Sequence, residues 1–69
     1  MKPIYAMVNI DERDEFEKHF QIPYGYSQCY MTYDFDLAIR VFDNLSDGEK
    51  EVYVIESVDS EGREIVYSS

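Results

Sequence analysis

Tryptophan is absent from this chain, cysteine and histidine occur once each, and only two prolines and three glycines interrupt it. The lone Cys29 has no partner for an intramolecular disulfide, so no staple supports the fold. That fits a reducing cytosol better than secretion. No apolar stretch approaches the roughly 18–20 residues that span a bilayer. The start, Met1-Lys2-Pro3-Ile4-Tyr5, carries one basic residue and does not read as a signal peptide. Positive charge is also scarce. Six Lys+Arg stand against fifteen Asp+Glu, a formal net charge of −9. Such a surface disfavours direct contact with nucleic acid and with anionic membranes, and favours basic partners.

What is present is a core. Hydrophobic residues make up 45% of the 69 positions and aromatics 16%, too many for a disordered acidic tail. The length allows one domain, residues 1–69, burying only about 60% of its unfolded surface. Self-association is one way for so small a core to gain burial, and a homodimer is among the expected states.

Ile4 to Ile10 alternates, with Ile4, Ala6, Val8 and Ile10 on one side, as in a strand. Glu15 to Ile22 fits two periods. Phe16 and Phe20 at i, i+4 fit a short helix capped by Asp11 or Asp14. Phe16, Lys18, Phe20 and Ile22 also alternate, and this favours a strand. Pro23 to Ser27 reads as a loop, and Gln28 to Tyr33 as a short extended segment. Phe35, Ala38, Phe42 and Leu45 form one helical stripe, with Thr32 or Asp34 as N-cap. Gly48 in Ser46-Asp47-Gly48 suits the left-handed end of that helix. Val52, Val54 and Val58 alternate towards the turn Asp59-Ser60-Glu61-Gly62, and Arg63 to Tyr67 returns. The expected fold is α+β: a small two-layer domain with a three- to four-stranded, mainly antiparallel sheet. It has one main helix at about 34–46 and a C-terminal β-hairpin at about 51–67. One helix leaves the second sheet face partly open, carrying part of the tyrosine set.

No motif for catalysis, cofactor or metal emerges. His19 and Cys29 formally permit a nucleophile pair, but nothing around either orients them. Asp11 to Glu15 lacks the Asp-x-Asp-x-Asp-Gly pattern of a calcium loop. The expectation is no catalytic, cofactor-binding or metal-binding residues, and no enzyme. The acids are the strongest feature: Asp11, Glu12, Asp14, Glu15 and Glu17; Asp34 and Asp36; Asp43, Asp47, Glu49 and Glu51; Glu56, Asp59, Glu61 and Glu64. Seven tyrosines are the second, with Tyr24, Tyr26 and Tyr30 grouped around a loop. Tyrosine is enriched at interface hot spots.

Asp11, Glu12, Asp14, Glu15, Glu17, Tyr24, Tyr26 and Tyr30 are therefore the expected partner-binding residues. The partner is a basic protein surface, such as that of a nucleic-acid-binding protein or nuclease. In small size and high acidity the chain resembles phage-encoded inhibitors of host defence, such as anti-CRISPR proteins and other DNA mimics. That resemblance implies a cytoplasmic inhibitor that occludes a positive channel. The alternative is a small structural or adaptor protein that docks through a tyrosine-rich sheet face.

Overall fold

A computed structural model describes residues 2–69. The order of elements is β1 (Ile4–Asn9), α1 (Ile10–Phe20), β2 (Tyr30–Thr32), α2 (Phe35–Asp43), α3 (Asp47–Val52), β3 (Tyr53–Asp59) and β4 (Gly62–Tyr67). The strands form one antiparallel sheet in the order β2-β1-β3-β4. The expected α+β class, the main helix and the C-terminal hairpin are all present.

β1 and β3 lie at the centre, paired from Ile4 opposite Val58 to Asn9 opposite Tyr53. Their alternation gives each sheet face its own core. One face joins Ala6, Val8 and Val54, with Tyr24, Tyr26, Cys29 and Val58 packed against them. The other joins Ile55 to Ala38 and Phe42 of α2, flanked by Tyr5, Met7 and Tyr53. The α2 stripe packs as its 3.6-residue period requires. Asp34 caps it, its side chain accepting from the Leu37 N–H at 3.2 Å.

The face expected to be open is instead covered by α1 and the segment after it. α1 also replaces the strand favoured for residues 15–22. Its N-cap is Asn9, accepting from the Glu12 N–H at 3.0 Å, rather than Asp11 or Asp14. Phe16 and Phe20 stack at 4.8 Å along the helix, while Phe20 and Ile22 are both more than half exposed. The alternation that favours a strand is therefore fortuitous. The side of α1 turned to the sheet carries Arg13, which is buried, and Glu17. The spacing of Phe16 and Phe20 is the local sign of this helix, and the charged residues on its inward side weaken the periodic signal.

A second difference concerns Ser46-Asp47-Gly48. These residues open α3 instead of closing α2. Ser46 accepts from the Glu49 N–H at 3.2 Å, and the Glu49 carboxylate accepts from the Ser46 N–H at 3.1 Å, a reciprocal capping box. The hairpin consequently begins at Tyr53, with Glu51 and Val52 belonging to α3. Its turn is as expected. Asp59 accepts from the Glu61 N–H at 2.8 Å, and Gly62 sits at φ 138°, where a side chain would be strained. Among the described residues no helix is long and apolar enough to cross a membrane.

Candidate functional site

Glu56 occupies an inward position of β3, between Val54 and Val58 and opposite Ala6, and is 1% exposed. A carboxylate there is costly unless it is paired and hydrogen-bonded. The small Ala6 side chain leaves room above it, and α1 delivers the Arg13 guanidinium to one carboxylate oxygen. The Tyr26 hydroxyl donates to the other at 3.0 Å. Tyr26 reaches that position with φ 61°, a left-handed backbone that a bulky residue rarely adopts. Burial, followed by the bond to Glu56, raises the pKa of its hydroxyl.

The network continues outward. Arg63 of β4 donates to Tyr26 Oη at 3.2 Å and grips Glu17 with two bonds of 2.7 Å, a bidentate fork. Glu17 also accepts from the Tyr24 N–H at 2.9 Å. One polar chain, Arg13–Glu56–Tyr26–Arg63–Glu17–Tyr24, thus ties α1 and the following loop to the hairpin. The Arg63 bonds, and then the Tyr24 N–H, hold the Glu17 carboxyl down to about 2. A depressed carboxylate contributes stability above its ordinary pKa and loses it as pH falls through the folded value. The stability gap between the wild-type protein and Glu17→Gln is therefore expected to be constant above about pH 5. It closes between the ordinary glutamate value of 4.5 and about 2. Urea unfolding at stepped pH checks this, and a gap independent of pH would contradict it.

This network engages several residues picked out from the sequence. Glu17, Tyr24 and Tyr26 are engaged inside the fold, and Glu56 is buried beyond the reach of any partner. Glu56 has a legible signal, since the period of β3 places it on the side of Val54 and Val58. The seven tyrosines do not share one open face. Tyr5, Tyr53 and Tyr67 pack with the α2 core, Tyr24 and Tyr26 lie on the opposite face, and Tyr30 and Tyr33 are exposed around β2.

Asp11, Glu12, Asp14 and Glu15 remain exposed on α1. Asp14 contacts Arg13 at 3.0 Å yet keeps most of its side chain in solvent. Asp11, Asp14, Glu15 and Lys18 line a shallow groove of about 270 Å³ on the outer side of the helix. The internal pair Arg13–Glu56 removes one base and one acid. Of six Lys+Arg and fifteen Asp+Glu, five bases and fourteen acids then remain to meet solvent. The surface is thus more one-sided in sign than the composition.

A second depression lies at the end of the sheet where β1 passes into α1 and α3 into β3. It has a volume of about 390 Å³, and its walls include Glu12, Gln28, Glu49 and three tyrosines, Tyr24, Tyr30 and Tyr53. The Tyr24 hydroxyl lies 3.6 Å from Cys29 Sγ. That contact, then burial, then the nearby charges push the hydroxyl up to about 12. His19 lies elsewhere, in the last turn of α1 with its ring on Phe20 at 4.7 Å. Among the described residues no three potential ligands converge as they would around a metal ion. What these two depressions offer chemically is carboxylate. The chain matches no family model, and no curated protein or solved structure matches it either.

Proposed function

We propose that this protein is a non-enzymatic binding module that docks its acidic surface on a basic protein surface and occludes it. The observation that carries this reading is the exposed acidic start of α1. Asp11, Glu12, Asp14 and Glu15 stand on a capped helix, while Arg13 between them turns inward to Glu56. At 1.5 Å per residue, four carboxylates fall within about 6 Å of helix axis. Duplex DNA presents one charge per roughly 1.7 Å, a comparable linear density. A positive groove that normally holds nucleic acid is the partner surface such a helix fits, and inhibition by competition is the consequence. First-turn acids also stabilise the helix dipole, so folding and binding favour the same residues.

The test is capture of partners on the immobilised full-length chain, washed through a salt series. Binding is expected to fall steeply as salt rises, because exposed charges are screened beyond about 8–10 Å at physiological strength. Asp11→Lys with Glu15→Lys is expected to weaken capture at least tenfold, while reversal of Asp36 and Glu51, on α2 and α3, has a smaller effect. Salt-insensitive capture would sink the reading.

One observation favours a second reading, self-association. β4 is an unpaired sheet edge with Ile65 49% and Val66 37% exposed, and exposed edges template pairing with another chain. Recovery of only further copies of this chain, indifferent to salt, would select it.

A further inference from the structure

We propose that the cleft between the start of α1, the Gln28–Tyr30 segment and the start of α3 receives one guanidinium group, an arginine side chain of a basic partner. This rests on the acidic-docking reading and names the site where one residue of the partner is recognised individually.

Four features specify the occupant. The cleft is concave, at about 390 Å³, within the range of specific small-ligand sites. Its charge is of one sign, since Glu12 and Glu49 line it and no Lys, Arg or His does. Both carboxylates retain capacity to accept. Among the described residues the Glu12 carboxylate has no hydrogen-bond donor, and its own N–H is satisfied by Asn9. Glu49 uses Oε1 for the Ser46 N–H and hydroxyl, at 3.1 and 3.0 Å, which leaves Oε2 free. Finally, Tyr24, Tyr30 and Tyr53 line the same cleft and give it aromatic wall.

A cation with a flat face suits carboxylates and aromatic rings together. Guanidinium stacks on aromatic faces, forks onto carboxylates and is more weakly hydrated than ammonium. Lysine satisfies the charge but neither the plane nor the fork. The outer α1 groove differs because its own Lys18 already supplies a cation. The cleft thus discriminates, whereas the groove contributes charge.

The experiment uses the ¹⁵N-labelled full-length chain and N-acetyl-arginine-N-methylamide as the probe, at low ionic strength, followed by amide chemical shifts. Saturable shifts are expected at Gln28, Cys29, Glu49 and Tyr53. Glu12→Gln with Glu49→Gln is expected to weaken binding at least tenfold. Glutamine at position 49 keeps the capping box, and the same spectra report whether the variant is folded. Asp36→Asn with Glu64→Gln, exposed and lining neither the cleft nor the outer groove, should leave the affinity within about twofold, the size of an exposed surface-charge effect. The lysine analogue should bind at least threefold more weakly. Non-saturable shifts over the whole acidic surface, unchanged affinity in the Glu12/Glu49 variant, or equal binding of the lysine analogue would each overturn the proposal. The probe needs no partner protein, so a failed cleft and a failed docking reading are told apart. The partner capture above tests the second, and this titration tests the first.

Discussion

Glu56→Ala is expected to bring the protein to the edge of unfolding. Truncating one member of a buried ion pair costs about 3–5 kcal/mol, because the other charge is left uncompensated. Here the stranded group is Arg13, which is 9% exposed and, among the described residues, has only the exposed Asp14 as a second partner. The Tyr26 hydroxyl loses its acceptor as well. Native stability runs at roughly 0.05–0.15 kcal/mol per residue, so a chain of this length has only about 3–10 kcal/mol in total. Replacing the network together, as Arg13→Met, Glu56→Leu and Tyr26→Phe, removes the desolvation cost with the attraction and is expected to recover most of the loss. Urea unfolding of the single and triple variants measures both. A loss below about 1 kcal/mol for Glu56→Ala would mean that the pair does not hold α1 to the sheet.

Phe42→Ala is expected to cost about 3–5 kcal/mol through the opposite face. Phe42 is 2% exposed and sits with Ala38 and Ile55 between α2 and the sheet. Its ring meets Tyr67 edge-on at 5.2 Å, and the Tyr67 hydroxyl in turn donates to Asp43 at the end of α2 at 3.2 Å. Truncation leaves a cavity and removes the contact that holds the last residue of β4 under the helix. Its urea midpoint should fall, with the near-ultraviolet tyrosine signal weakening first if Tyr67 is released. Because no ionisable group is removed at position 42, the loss should be nearly the same at pH 4 and pH 7. A loss that varied strongly over that range would show that packing at Phe42 is coupled to the ionic network across the sheet.

These two variants also mark where sequence reading works and where it stops. The α2 stripe is visible because hydrophobic residues recur at helical spacing, and the cap Asp34 precedes them. β1 is visible because its alternation is uninterrupted, and the hairpin because Val52, Val54 and Val58 keep one period and Gly62 ends a polar turn. α3 had a readable signal in Ser46 and Glu49, three residues apart, which the glycine two positions after Ser46 obscured. α1 is of another kind. Beside Ile10 its sheet-facing side carries Arg13 and Glu17, and these charges are held there by Glu56 and Arg63, on strands more than forty residues away. No local pattern contains that information. The same holds for the residues expected to meet a partner: Asp11, Glu12, Asp14 and Glu15 stay exposed, while Glu17, Tyr24 and Tyr26 are partly covered by contacts within the fold.

The sequence by itself determined the net charge of −9, the α+β class, the main helix and the hairpin, because charge is additive and these elements are set by short-range period and turn chemistry. Tertiary structure alone decided which charges meet solvent. Arg13, which could have neutralised the acidic start of α1, is turned inward to Glu56 of β3. Glu12 and Glu49, thirty-seven positions apart in the chain, come to line one cleft. Both outcomes depend on register and helix placement, which long-range packing sets and local sequence does not.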